Sequence, residues 1–367
     1  MGTIYEARRA MLKSYLSENN ITAVMITAPA NVFYFTGFNS DPHERFMSLF
    51  IDMHTNNTYL FVPALDKDAA LLVSDITTII PISDEQIPFE VVRESVGEIS
   101  KTVGIEAKAL SYYLYNSLLE FFPGVQVVDV QPFINKQRMK KSKEEIAKLI
   151  TAIEIIEKVL EEGIKKVKIG MSESDLTGEL EFLMRKFGAD GPSFSTIVLT
   201  GEKAALPHGS PGERKLQKGD YLLIDFGVIK DGYCSDITRT FIIGEASEQQ
   251  KEIYDIVLRS NEAGINAVQA GVPLKTFDIE ARNVIIANGY GEYFNNRVGH
   301  GLGIELHEEP SIHQNNEQIA EAGLVFTIEP GIYIPEVGGV RIEDTVYINE
   351  DGKVEVLSSF PKQLQIL

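Results

Sequence analysis

The sequence predicts two domains of mixed class, a smaller α/β unit followed by a larger α+β unit, and three observations carry that expectation. Its 367 residues suggest two domains at ~100–200 residues each. A polar segment, NKQRMKK at 135–141, separates two stretches that each show apolar periodicity. The second stretch sets long helical rhythms against pairs of β-branched runs joined by turns. The expected domains are residues 1–134 and 135–367.

In the first domain, residues 5–17 have a helical apolar rhythm. TAVMIT (22–27), MSLFID (47–52) and TYLFVP (58–63) read as strands between polar turns, residues 111–121 as a helix, and VQVVDV (125–130) as a strand. The second domain opens on a long helix. Ser142 with Glu145 three positions on is a capping-box pattern, followed by apolar residues at Ile146, Leu149, Ile150, Ile153, Ile156, Val159, Leu160 and Ile164. A second helix over 172–187 stops at Gly188, and two more are predicted over 249–269 and 274–288. Strands fall at 195–200, as a pair across 222–240, and at 324–334 and 340–348. No short repeat, low-complexity tract or long linker interrupts the pattern.

Composition narrows the function classes. With 44% hydrophobic and 24% charged residues the chain reads as a soluble globular protein. No apolar run approaches the ~20 residues that span a bilayer. The N-terminus carries charges through its helical pattern and lacks an apolar signal core, so cytoplasmic residence is expected. One cysteine, Cys234, excludes an internal disulfide framework, fits a reducing compartment, and is read as a packing residue in a strand. Acidic residues outnumber basic ones 53 to 34, a net charge of −19, which argues against a nucleic-acid partner. Carboxylates that hold metal would count toward that charge only while the ions are left out.

The stretch LLIDFGVIKDGYCSDITRT (222–240) sets Asp225 and Asp236 inside apolar strands. Buried, unpaired carboxylates cost several kcal/mol or take up a proton, so the stretch asks for a positive partner. A loop at 229–232 would put Asp225 directly opposite Asp236, and opposed residues of an antiparallel pair share a face. Glu329 in TIEPG and Glu343 in VRIED sit in similar apolar contexts, and a loop centred on Glu336 would oppose them. Between the hairpins, RVGHGLGIELHEEP flanks His300 with glycines that permit close backbone approach. Four converging carboxylates repel one another unless cations balance them, and two divalent ions would. An oxygen-rich set with one imidazole suits Mn²⁺, Co²⁺, Fe²⁺ or Zn²⁺. Two such ions about 3.5–4 Å apart would share a water and lower its pKa toward neutrality, which is hydrolase chemistry. Taken singly, each acid reads first as a strand-end or surface residue paired with an arginine, and it is five such residues in apolar or glycine-flanked contexts that reverse the balance.

The ordered set Asp225 in IDFG, Asp236 in SDITRT, His300 in GHGLG, Glu329 in TIEPGIY and Glu343 in GVRIED resembles the metal site of the creatinase/aminopeptidase superfamily, metallopeptidase family M24, with its pita-bread fold. The resemblance covers nearly the whole chain and is greatest to the proline-specific branch, the Xaa-Pro dipeptidases (prolidases) and Xaa-Pro aminopeptidases. It implies a pita-bread catalytic domain preceded by a creatinase-type N-terminal domain. It implies further that Asp236 and Glu343 bridge two metals, Mn²⁺ or Co²⁺ first with Zn²⁺ or Fe²⁺ as alternatives. Asp225 would complete one ion, and His300 with Glu329 the other. Glu329 would also take the proton of the attacking water. His208 in LPHGS and His307 in ELHEEP match two histidines that contact substrate and stabilise the tetrahedral intermediate.

Other residues carry weaker signals. His54 and His313 are expected in solvated loops. Arg297 and Arg341 could read a substrate's C-terminal carboxylate, or could pair with a metal-site acid. The loop SDPHER (40–45) could be plain surface. The resemblance to dimeric prolidases implies instead that its Asp41, His43, Glu44 and Arg45 line the catalytic mouth of a partner subunit. The expected activity is hydrolysis of short Xaa-Pro peptides by a homodimer with neither nucleic-acid nor membrane partner. The rivals are an Xaa-Pro aminopeptidase acting on longer peptides, a non-catalytic pita-bread binding module, and a metal-free amidinohydrolase of the creatinase type.

Overall fold

The computed structural model describes residues 3–99 and 101–367, which divide into two compact units at Gln137/Arg138. The first contains α1 Ile4–Glu18, β1 Ala23–Ile26, α2 Pro29–Thr36, β2 Ser48–Asp52, β3 Thr58–Pro63, α3 Lys67–Val73, β4 Thr78–Ile82, α4 Pro88–Val96, β5 Thr102–Ile105, α5 Tyr112–Phe121 and β6 Gln126–Asp129. Its six strands form one sheet in the order β4-β3-β2-β1-β5-β6. The central β1-β2-β3 pairings are antiparallel and the outer ones parallel. Met25, Phe50, Phe61, Phe89, Val103 and Leu118 pack into its core.

The sequence reading missed α2, α3, α4, β4 and β5, and for α2 and β4 the reason is local. The α2 sequence, PANVFYFT, is buried almost all round and so shows no amphipathic period. Strand β4 contains Pro81, which a strand pattern discounts, and it lies at the sheet edge where proline is tolerated. The polar segment taken as a boundary is largely helical, α6 running Gln131–Met139.

The second unit opens on α7 Lys143–Ile164, whose capping box at Ser142 and Glu145 is present in full. It continues with α8 Glu173–Lys186, β7 Gly191–Pro192, β8 Ile197–Thr200, β9 Tyr221–Phe226, β10 Val228–Lys230, β11 Tyr233–Cys234, β12 Ile237–Ile242, α9 Glu248–Ala267 and α10 Lys275–Ala287. The chain ends through β13 Gly299–Gly301, β14 Glu308–Ile312, β15 Val325–Ile328, β16 Gly331–Ile334, β17 Gly338–Arg341, β18 Asp344–Ile348 and β19 Val354–Val356. Apart from Asp225, strand β9 is apolar because both its faces are covered. Leu222, Ile224 and Phe226 join the core built by α7 and α8. Tyr221 and Leu223 join the core of α9, α10 and the sheet β14-β13-β15-β18-β19, so Asp225 is the next residue on that second face. Among the described residues no helix is long and apolar enough to cross a membrane.

Both long hairpins change sheet midway. The first runs from β9/β12 in one sheet to β10/β11 in another, and the second from β15/β18 to β16/β17. The breaks fall at Gly227 opposite Ser235-Asp236, and at Glu329-Pro330 opposite Ile342-Glu343. Three of the acids therefore sit where a ladder is interrupted, and Asp225 lies within two residues of such a break.

The first hairpin corrects the expected register. Its turn is the two-residue Asp231-Gly232, both with positive φ (49° and 78°), and Ile229 pairs with Cys234. Asp225 therefore opposes Thr238 and not Asp236. The displacement is two residues, so Asp236 keeps the face of Asp225. In the second hairpin Ile334 pairs with Gly338 and Ile328 with Asp344, and this register sets Glu329 opposite Glu343 around a turn centred on Glu336.

Candidate metal centre and its cleft

The hairpin breaks and β13 bring the acids and His300 to the floor of a cleft of about 760 Å³, lined also by His208, His307, Arg297 and Arg341. Asp236, His300 and Glu343 are buried and offer ligand atoms within 4.8 Å of one another. His300 Nε2 lies 3.5 Å from Asp236 Oδ2 and 3.4 Å from Glu329 Oε1. Its Nδ1 stands 3.1 Å from the Gly301 carbonyl, so that nitrogen carries the proton and Nε2 turns its lone pair toward the acids. The flanking glycines are required by space. A Cβ on Gly299 would stand 1.8 Å from the Thr327 carbonyl oxygen, and one on Gly301 2.3 Å from that of Glu309.

The electrostatics are those of a buried cluster of acids. Burial, then Glu343, Asp225 and Glu329, push the Asp236 carboxyl well above the usual carboxylate range. Glu343 is raised likewise by burial and by Glu329 and Asp225. Burial lifts Glu329 to about 7, with Arg341 opposing and Asp225 reinforcing. Burial, with His307 and Arg297 nearby, depresses His300 to about 3 and holds it neutral. Asp225 Oδ1, Asp236 Oδ1 and Glu343 Oε1 are buried and have no hydrogen-bond partner among the described residues. Three such oxygens and an imidazole lone pair in one cleft fit divalent cations.

Two residues missed in the sequence orient this set. Thr238, two positions beyond Asp236 on the same face, donates from Oγ1 to Glu343 Oε2 at 2.7 Å. It also accepts from Arg341 Nε at 3.0 Å. Tyr333 Oη accepts from Arg341 Nη1 at 2.8 Å. Arg341 Nη2 bonds Asp225 Oδ2, so this guanidinium takes the metal-site pairing that the sequence left open. The alternation of strand β12 was the signal that could have found Thr238.

The remaining sequence-picked residues separate by place. Arg297 is exposed and donates from Nη1 to Ser311 Oγ at 3.0 Å. His208 and His307 are also exposed, and the His307 ring meets that of His300 edge-on at 4.1 Å. Phe194, Leu206 and Leu306 give the cleft an apolar wall. His43, Glu44 and Arg45 line instead a depression of about 650 Å³ within the N-terminal unit. There Arg45 grips Asp84 through two bonds, and Asp41 accepts from the His43 backbone.

A neutral imidazole and clustered acids at the base of a solvent-open cleft are the side chains that a hydrolytic metal centre would need. The chain belongs to metallopeptidase family M24, whose model matches residues 147–350, and the creatinase/prolidase N-terminal domain matches residues 8–140. The architecture is accordingly the pita-bread fold preceded by a creatinase-type domain. The chain is 40% identical to a Bacillus subtilis (strain 168) protein named "Putative dipeptidase YkvY", over 97% of this chain and 98% of that one. Among solved structures it resembles the Xaa-Pro dipeptidase from Bacillus anthracis, with a TM-score of 0.91, 33% identity and coverage of 99% and 100%. It also resembles the X-Pro aminopeptidase from Thermotoga maritima MSB8, with a TM-score of 0.86, 33% identity and coverage of 96% and 99%.

Proposed function

We propose that the protein is an Xaa-Pro dipeptidase, hydrolysing the amide that precedes proline. The observation that carries the reading is one cleft that joins the acid and imidazole cluster to two exposed histidines and the exposed cation of Arg297. A dipeptide ends in a carboxylate one residue beyond the bond to be broken, and a guanidinium on the cleft wall suits it. Arg341, already committed to Asp225, is unsuited to that task. Similarity over nearly the whole chain to a named Xaa-Pro dipeptidase supports the same reading.

Asp236 and Glu343 would hold both of two ions, Asp225 one of them, and His300 with Glu329 the other. Mn²⁺ or Co²⁺ comes first, with Zn²⁺ and Fe²⁺ as alternatives that this donor set also accepts. The ions would supply a water made nucleophilic near neutral pH and polarisation of the substrate carbonyl. Glu329 takes the proton of the attacking water on its carboxylate and returns it to the proline nitrogen as the C–N bond breaks. His208 and His307 donate toward the oxygen on which negative charge develops. The apolar wall of Phe194, Leu206 and Leu306 offers a surface for the pyrrolidine ring.

Similarity to an X-Pro aminopeptidase favours one second reading, the same chemistry on longer peptides. Metal-stripped protein with Ala-Pro and Ala-Pro-Ala, before and after Mn²⁺ or Co²⁺, separates the two. Metal-dependent release of proline from Ala-Pro, lost in Glu329→Gln, supports the dipeptidase. Cleavage of the tripeptide alone makes it an aminopeptidase. Cleavage of neither overturns both.

The protein is further proposed to act in the cytoplasm as a homodimer, with Asp41, His43, Glu44 and Arg45 of one chain lining the partner's cleft. The exposure of the Asp41 and His43 side chains, 77% and 72%, supports an available loop. Unchanged dipeptide kinetics in Arg45→Ala would remove that assignment. The net charge of −19 gives no support to a nucleic-acid partner.

A further inference from the structure

Beside the cleft lies a buried ion cluster that the proposed chemistry does not use. Glu308 follows His307 directly and begins β14, and it is not among the residues that line the cleft. The His307 ring lines the cleft. The Glu308 carboxylate is 5% exposed. Its Oε1 accepts from Arg138 Nη2, and its Oε2 accepts from Lys141 Nζ at 2.9 Å. Both cations are themselves buried, their side chains 6% and 2% exposed. Lys141 Nζ also donates to the Arg138 carbonyl at 2.6 Å, which ties the cations together.

The same carboxylate governs the loop behind His307. Glu308 Oε1 accepts the Glu305 backbone N–H at 3.0 Å, and Arg138 Nη1 holds the Glu305 carboxylate at 2.9 Å. Cys234 secures the far end of the loop, its N–H donating to the Gly303 carbonyl at 2.7 Å and its thiol to that of Ile304 at 3.4 Å. Among the described residues the His307 ring has no hydrogen bond of its own and only the edge contact with His300. Where the imidazole stands is therefore decided by its backbone, and the nearest fixed point on that backbone is Glu308.

We propose that Glu308, caged by Arg138 and Lys141, is a positioning residue for His307, setting the imidazole where substrate charge develops. A carboxylate held by two buried cations has one deep minimum, because any displacement leaves desolvated charges unpaired. The loop inherits that single position, and the histidine is preorganised without a bond to its own ring. The inference rests on the assignment of His307 to the proposed reaction.

The test is a double-mutant cycle on the manganese-loaded enzyme with Ala-Pro. Glu308→Gln keeps the shape and removes the charge. It is expected to lower kcat by about 10- to 100-fold, as a misplacement near 1 Å does, with KM changed less than about threefold. Bound manganese is expected to stay the same. In the His307→Ala background the further loss from Glu308→Gln should vanish, while its effect on Tm stays equal in both backgrounds. A merely structural role would lower Tm and leave the kcat losses independent. Lys141→Met is carried through the same cycle and decides the matter should Glu308→Gln not fold. A Glu308→Gln kcat equal to the parent's, or an equal loss in both backgrounds with His307→Ala itself slow, overturns this inference alone. A His307→Ala enzyme as fast as the parent removes the His307 assignment and this inference with it.

Discussion

Arg341 and Asp225 face one another across two hairpins as a buried ion pair, and only one carboxylate oxygen of Asp225 is used in it. The other, Oδ1, is buried and unpartnered among the described residues. The pairing holds one oxygen of the acid and leaves the other free, the arrangement expected behind a metal ligand. Removing one member of a buried pair costs about 3–5 kcal/mol, and the partial exposure of Asp225 points to the lower end. Arg341→Ala is therefore expected to destabilise the metal-free protein by about 3 kcal/mol and to weaken metal binding. Chemical denaturation and metal titration measure the two. Arg341→Lys should rescue little, since one ammonium cannot satisfy Asp225, Thr238 and Tyr333 together.

Thr238→Val conserves shape and deletes one hydroxyl that serves both Glu343 and Arg341. The expected loss is about 1–3 kcal/mol for leaving buried charged groups short of a partner. A loss confined to stability, with metal affinity unchanged, would show that Thr238 does not orient Glu343.

Metal-free protein should lose stability as pH rises. Glu329 is held at about 7 against an ordinary 4.5, and Asp236 and Glu343 are also raised. The folded state therefore binds more protons than the unfolded one across this window. Their stabilising contribution is complete below about pH 4.5 and is lost as pH climbs through about 7 and beyond. Glu308 acts in the opposite sense. Despite burial, Lys141 and Arg138 hold it at about 2, so its contribution fades only as pH falls below about 4.5. The Tm of chelator-treated protein should fall from about pH 5 to about pH 8, and saturating Mn²⁺ should recover most at the alkaline end. A metal-free Tm that climbs across this range would contradict the raised acids.

Gly178 and Gly299 should respond oppositely to alanine. Gly178 lies exposed within α8 with nothing near its absent Cβ, so Gly178→Ala should stabilise by up to about 1 kcal/mol through helix propensity. Gly299→Ala drives a methyl into the Thr327 carbonyl beside the acid cluster, at a cost of about 1–3 kcal/mol or more. Thermal melts of both, with bound metal measured for the second, check the contrast.

Arg297→Met probes the substrate's far end. If Arg297 reads the carboxylate, KM for Ala-Pro should rise about 10-fold or more, the worth of one charge-assisted hydrogen bond. The parent enzyme should also reject Ala-Pro amide, and the variant should be indifferent to that change. Equal KM values in parent and variant would move the carboxylate elsewhere.

The sequence by itself marked out the acids, the imidazole and its glycine frame as candidates, because charged residues in apolar strands and paired glycines are costly unless used. It determined the capping box of α7 and the register of the second hairpin, since both follow from local spacing around Ser142 and Glu336. Tertiary structure decided what local spacing cannot express. The first turn closed on Asp231-Gly232, whose positive φ values suit the strand twist, and this set Thr238 opposite Asp225. Arg341 was drawn to Asp225, 116 positions away, because burying a carboxylate without a counter-charge is costly. Glu308 likewise found Arg138 and Lys141 across some 170 residues of chain, a distance over which no pattern of periodicity or capping operates. Which residues could bear charge was a matter of composition and context; which charges met was settled only when the two hairpins changed sheets and brought their interrupted ladders to one cleft.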